Sequence, residues 1–137
     1  MGTQKELKLV IKTILDVLKS DPSQVQLAIL FGSFSRGCAT AQSDVDLAVL
    51  SRNFLTLDQK LNLTQALGDR LQREIDLVDL SECGPTVKVE AMTQGKVILN
   101  LDPFRYAQIM KEFMIDQEDW GRWRDFIRSE TRKRIFK

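Results

Sequence analysis

The sequence predicts a small α/β fold, a mixed sheet of about four strands covered by helices, with a long helical segment at the C-terminal end. Three observations carry this expectation. Apolar residues recur at helical spacing near both ends of the chain, short apolar runs of strand length lie between them, and turn residues punctuate the two kinds of segment. Leu7, Val10, Ile11, Ile14, Leu15 and Leu18 make an amphipathic first helix, and Asp21-Pro22-Ser23 stops it. Val25 to Phe31 is a largely apolar run ending at Gly32, the pattern of a buried strand. Ser33 to Gly37 reads as a turn or a brief helix start, Thr40 to Ser43 as a polar loop, and Asp44 to Leu50 as a second strand. Thr56 is placed to cap a helix carrying Leu57, Leu61, Leu67 and Leu71. Glu74 to Leu80 is a third strand, and Ser81 to Pro85 a turn. Thr86 to Gln94 is a helix closed by Gly95, and Lys96 to Leu101 a last short strand. Asp102-Pro103 then opens a helical segment to Arg134, with proline at the first helical position.

Composition bounds the function. The chain has 137 residues, enough for one domain with a real core, and its 43% hydrophobic and 28% charged residues are ordinary for a globular protein. The expected organisation is a single domain over 1–137, with a core at 1–101 and the helical segment at 103–137. No apolar stretch approaches the ~18 residues that span a bilayer, and the N-terminus is too polar for a secretory signal. Two cysteines, Cys38 and Cys83, make neither a disulfide framework nor a metal knuckle, so a reducing, cytoplasmic setting is expected. Histidine is absent, which excludes histidine general bases, Ser-His-Asp triads and histidine-ligated zinc. Net charge is +1, but residues 121–137 hold seven Lys/Arg against two acids. That basic tail reads either as a solvated helix end or as a surface for an acidic partner or RNA.

The chemistry concentrates between Leu30 and Val49. Gly32-Ser33 follows an apolar run, and after ten residues comes Asp44-Val45-Asp46. A Gly-Ser turn presents backbone N–H groups and a hydroxyl to a phosphate. Carboxylates at i and i+2 on a strand face the same way, where they can share a hard divalent cation. Together they point to chemistry on a nucleoside triphosphate. Transfer from a triphosphate needs positioning and charge neutralisation more than covalent help, and a two-metal site calls for a third carboxylate on a neighbouring strand. Asp76 and Asp79 are the candidates. They lie three apart and face opposite sides of a strand; Asp76, flanked by Ile75 and Leu77 in mid-strand, is the one expected in the site. Asp79 is expected to be exposed or to cap the strand end.

The string Leu-Phe-Gly-Ser-Phe-Ser-Arg-Gly…Ser-Asp-Val-Asp-Leu-Ala-Val, with a third Asp on a later strand, resembles the nucleotidyltransferase superfamily of DNA polymerase beta. More narrowly, the chain is similar to the minimal nucleotidyltransferases of bacteria and archaea, over nearly its whole length. The resemblance implies the polymerase beta-like fold and specific roles. Gly32 and Ser33 meet the triphosphate, Arg36 contacts its β/γ-phosphates, and Gly37 permits the exit from the loop. Asp44, Asp46 and Asp76 hold Mg²⁺, two ions being expected, with Asp76 also helping to deprotonate the acceptor hydroxyl. ATP as substrate is likewise an implication of the resemblance.

Larger members of the superfamily add a domain that grips the acceptor, and this chain has only the segment from Pro103 onward. The acceptor is therefore expected to come from another subunit. Minimal nucleotidyltransferases of this size resemble the antitoxin half of two-gene modules whose toxin is a helical HEPN ribonuclease. In that family AMP passes from ATP to a tyrosine hydroxyl of the toxin. A different acceptor, such as an RNA end or a small molecule, and a binding-only antitoxin remain alternatives. Tyr106, Ile109, Met110, Phe113, Trp120, Trp123 and Ile127 form an apolar stripe on the terminal segment. Its first half is expected to pack on the chain's own sheet. Trp120, Trp123 and the basic residues beyond are expected to meet a partner or a second copy, with Gly121 marking a kink.

Overall fold

The computed structural model describes residues 4–40, 42–115 and 128–129. Eight elements follow one another: α1 (Gln4–Ser20), β1 (Val25–Phe31), β2 (Val45–Ser51), α2 (Leu57–Leu71), β3 (Ile75–Asp79), α3 (Pro85–Gln94), β4 (Lys96–Asn100) and α4 (Pro103–Ile115). The order and type of every element agree with the sequence reading, and the boundaries differ by a residue or a few. The expected continuation of the last helix to Arg134, the kink at Gly121 and the surface around Trp120 and Trp123 lie outside the described residues.

The four strands form one mixed sheet in the order β3-β2-β1-β4. β1 pairs antiparallel with β2 and with β4, while β2 and β3 are parallel, joined by α2 as a crossover. The chain divides into two compact units, residues 1–101 and residues 102–137. The first holds the sheet, α1, α2 and α3. In the second, Asp102 accepts a hydrogen bond from the Arg105 amide at 3.1 Å and so caps α4, whose first residue is Pro103.

The core explains why the two central strands read as continuous apolar runs. α1 contributes Val10, Ile14, Val17 and Leu18, and α2 contributes Leu63 and Leu67. They bury against Ala28, Leu30, Val45, Leu47 and Val49 on one face of the sheet. α3 packs against β1, with Ala91 and Met92 buried. Ala48, Ile29 and Leu27, which alternate away from the first face, are therefore also fully buried.

One local reading of the helices needs correction, and one gains a reason. The α2 stripe is Leu63 and Leu67, whereas Leu57 and Leu61 are 71% and 57% exposed. Leucines four apart share a helix face, and three such pairs lie on this helix (Leu57/Leu61, Leu63/Leu67 and Leu67/Leu71), so spacing alone does not say which face meets the sheet. Gly95 closes α3 in an extended conformation (φ −77°, ψ 159°), with its N–H donating to the Ala91 carbonyl. Glycine is needed there for space: a Cβ would stand 2.3 Å from both the Ala91 carbonyl oxygen and the Ile29 Cγ2.

Thr56 caps α2 as its sequence position suggests. Its hydroxyl accepts from the Gln59 amide at 3.1 Å, and the Gln59 side chain accepts from the Thr56 amide at 3.0 Å. This reciprocal box satisfies two amides at the helix start. Replacing Thr56 by alanine is expected to cost about 1 kcal/mol in urea unfolding, with an unchanged m-value.

Candidate active site

The two halves of the Gly-Ser…Asp-x-Asp motif meet at one end of the central strand pair. Phe31, the last residue of β1, is the register partner of Asp46, the second residue of β2. The chain turns at Gly32, with φ +71°, through consecutive turns to Gly37, with φ +73°. Both values lie in the left-handed region that favours glycine. Inside the loop the Gly32 carbonyl accepts from the Arg36 amide at 3.2 Å and from the Ser35 hydroxyl at 3.0 Å. The Ser33 carbonyl accepts from the Cys38 amide at 3.1 Å. Phe34 points inward and is buried, while Arg36 is exposed on the loop.

Gly32 has a second constraint that its sequence position does not reveal. A Cβ built there would lie 2.1 Å from Asp46 Oδ2. Glycine is required because the Asp46 carboxyl group fills the space a side chain would take. The loop thus begins against the acid that follows it in the motif.

Asp46 and Asp76 are direct register partners in the parallel pair of β2 and β3. In-register residues on adjacent strands share a face and stand about 4.8 Å apart. The two carboxyl groups are in hydrogen-bond contact. Asp46 is pushed up from 3.8 to about 6, first by burial, then by the Asp76 charge and the hydrogen bond that the protonated Asp46 donates to it, then by the charges of Glu90 and Asp44. Asp44 lies one residue ahead of β2, exposed. Because Val45 is buried in the core, alternation puts Asp44 and Asp46 on the opposite face.

The choice between Asp76 and Asp79 goes to Asp76, for a reason other than burial. β3 is an edge strand and Asp76 is exposed, so no desolvation cost singles it out; its register with Asp46 does. Asp79 is 5% exposed rather than open to solvent. Its Oδ1 accepts from the Ser81 amide at 2.9 Å and the Ser81 hydroxyl at 2.7 Å. It is the strand-end cap.

Two residues of this region had no signal in the sequence. Glu90, on α3, adds its negative charge to the field at Asp46. It belongs to a helix with no motif of its own. Arg73, between α2 and β3, contacts the loop that joins the two halves of the motif, binding the carbonyls of Thr40 and Ser43.

The donor set is all oxygen. Two carboxyl groups in hydrogen-bond contact cannot both ionise cheaply without a counter-charge, and a hard divalent cation such as Mg²⁺ is the counter-charge that suits them. Among the described residues no three acidic or cysteine side chains gather closely enough to form a complete cage. Mg²⁺ is ordinarily held by one or two carboxylates together with substrate phosphates, so a partial protein shell beside the Gly32-Ser33 turn fits that mode.

Comparison with known proteins agrees with this geometry. Residues 12–104 match the polymerase beta nucleotidyltransferase family. The protein adenylyltransferase MntA of Shewanella oneidensis is 36% identical over 83 residues, a match covering 61% of this chain and 60% of MntA. The chain thus spans somewhat under two thirds of that relative's length. Among solved structures, a toxin–antitoxin with AMP-PNP superposes with a TM-score of 0.70 at 27% identity, covering 88% of this chain and 98% of that one. The tri-AMPylated Shewanella oneidensis HEPN toxin in complex with MNT antitoxin contains a chain that superposes with a TM-score of 0.66 at 26% identity, covering 91% of this chain and 98% of that one. Over residues 12–104, which hold Gly32, Asp46 and Asp76, this chain belongs to the polymerase beta nucleotidyltransferase family.

Proposed function

We propose that the chain is a Mg²⁺-dependent protein adenylyltransferase acting as an antitoxin, which transfers AMP from ATP to a tyrosine hydroxyl of a HEPN-type toxin in the cytoplasm. The observation that carries this reading is the Asp46–Asp76 carboxyl pair at the foot of the Gly32 turn. It puts metal-type carboxylates and a phosphate-binding turn against each other. The likeness to MntA and to toxin–antitoxin structures supports the acceptor class.

In this mechanism Ser33 and the first turn of the loop hold the triphosphate, with Arg36 on its β/γ end and Gly37 releasing the chain from the loop. Asp44, Asp46 and Asp76 would hold the metal ions beside the α-phosphate. When bound, Mg²⁺ supplies charge neutralisation on the phosphates and lowers the barrier to deprotonating the acceptor. Asp76, exposed on the edge strand, accepts the proton of the incoming hydroxyl. The acceptor oxygen forms a bond to the α-phosphorus, the bond from that phosphorus to the bridging oxygen breaks, and pyrophosphate leaves. No histidine is needed at any point.

The test is the intact mass of the product of the neighbouring gene after incubation with this chain, ATP and Mg²⁺. The mass is expected to rise in steps of one AMP, and not to rise with an Asp44→Asn/Asp46→Asn double variant. A folded, stable complex with no added mass points instead to a binding-only antitoxin or to another acceptor.

A further inference from the structure

We infer that Arg73 is a positioning residue that sets the spacing between the phosphate-binding turn and the acidic strand, and thereby the affinity for the nucleoside triphosphate. The inference rests on the proposed reading of the site and concerns a residue outside the motif. Arg73 follows the left-handed cap of α2 at Gln72 (φ 53°) and stands two residues before β3, whose second residue is Asp76. Its side chain is only 11% exposed. Nη1 donates to the Thr40 carbonyl at 2.8 Å and to the Ser43 carbonyl at 2.9 Å. Nη2 pairs with Glu6 Oε1 on α1 at 2.6 Å. The guanidinium carbon lies 4.9 Å from the centre of the Phe34 ring, within the range of a cation–π contact.

These four contacts have one geometric consequence. Phe34 is the second residue after Gly32, and Ser43 immediately precedes Asp44. One guanidinium therefore grips the start and the end of the connection between the two halves of the motif, and ties both to α1 and to the root of the strand carrying Asp76. The gripped segment is also wired internally. The Ser43 amide donates to the Thr40 carbonyl at 3.2 Å, and the Thr40 amide donates to the Ser43 hydroxyl at 2.7 Å. The Thr40 carbonyl thus accepts from both Ser43 and Arg73. A planar fork can serve two carbonyls, a carboxylate and a ring face at once; a lysine ammonium cannot. The same donors are turned inward to the protein, which separates Arg73 from Arg36, whose guanidinium is exposed on the loop.

The test compares Arg73→Lys with wild type and with Ile14→Val, a core variant on α1 outside the loop that lowers stability through packing. Three quantities are read: the melting temperature, amide exchange of residues 32–44 without nucleotide, and the affinity for α,β-methylene-ATP with Mg²⁺, whose α–β bridge resists transfer. Arg73→Lys is expected to speed exchange in residues 32–44 and to weaken nucleotide binding by about tenfold or more, since a misplaced binding group loses affinity steeply. Ile14→Val is expected to lower the melting temperature and leave affinity within about twofold of wild type. Glu6→Gln, which removes the charge of one anchor and keeps the two carbonyl bonds, is expected to fall between. Arg73→Lys binding the analogue as wild type does, or Ile14→Val losing as much affinity as Arg73→Lys, overturns the inference while the reading of the site stands. A wild-type protein that binds no analogue overturns that reading, and the inference with it.

Discussion

Asp46→Asn is expected to abolish transfer, by about a thousandfold or more, while making the metal-free protein more resistant to heat at neutral pH. The two effects have the same origin. Burial, then the Asp76 charge and its hydrogen bond, then Glu90 and Asp44, hold the Asp46 carboxyl at about 6 rather than 3.8. A carboxyl whose pKa is higher folded than unfolded binds its proton more tightly in the native state. Native stability therefore falls as pH rises between 3.8 and about 6, and the full deficit remains above that window. Asparagine carries no charge at any pH and removes the deficit. Asp46 is partly open to solvent, so the gain is discounted to about 1 kcal/mol, or roughly 3–5 °C in a domain of this size. In EDTA the variant should melt above wild type at pH 7.5, and the gap should close near pH 4. Mg²⁺ should raise the wild-type melting temperature at pH 7.5 and leave the variant unmoved. A variant that melts below wild type at pH 7.5 would contradict the acid-pair description.

The second large effect is expected from Gly32→Ala, a single added methyl. It meets two obstacles. The φ of +71° strains any L side chain, by about 1–2 kcal/mol. The new Cβ would also stand 2.1 Å from Asp46 Oδ2 and 2.9 Å from its Cγ. The Asp46 carboxyl must swing away from its place opposite Asp76, or the loop must lift off the strand. Either movement separates the turn from the acids, so transfer should fall about as far as with Asp46→Asn, at a stability cost of roughly 2 kcal/mol or more. Gly37→Ala is the informative comparison. Its φ of +73° carries the same strain, but nothing lies within 4 Å of its Cβ. It should lose about 1 kcal/mol of stability and much less activity. Denaturant unfolding and initial rates on the same preparations check both variants. Equal activity losses in the two would mean that backbone strain alone, and not the carboxyl beside Gly32, explains the glycine.

Much of this arrangement was legible in the sequence because the signals were local and strongly typed. The β1 and β2 runs are apolar on both faces, so their strands stand out by composition. Thr56 with Gln59, and Asp102 with Pro103, mark helix starts by side-chain chemistry that acts over three residues. The Gly32-Ser33 and Asp44-Asp46 spacing points to the candidate site before any pairing is known. What was not legible depends on tertiary register. The α2 helix has leucines on two faces, and only its packing selects Leu63 and Leu67. Asp76 was chosen from its mid-strand position, but the relation that brings it to Asp46, register across β2 and β3 between residues thirty apart, was not legible. Arg73 bonds to carbonyls, which carry no side-chain identity, so no pattern of residue types announces it. Glu90 reaches the site only because α3 packs on the β1 face.

The central claim is that this chain moves a nucleotidyl group, cleaving the triphosphate between its α- and β-phosphates. The most direct measurement uses ATP carrying the label either at the α- or at the γ-phosphate, with Mg²⁺ and the proposed HEPN-type partner. The account predicts that the α-label becomes bound to the partner, that the γ-label is released as pyrophosphate, and that Asp46→Asn does neither. Label from the γ-position on the partner, or an α-label transfer that Asp46→Asn leaves intact, would contradict it.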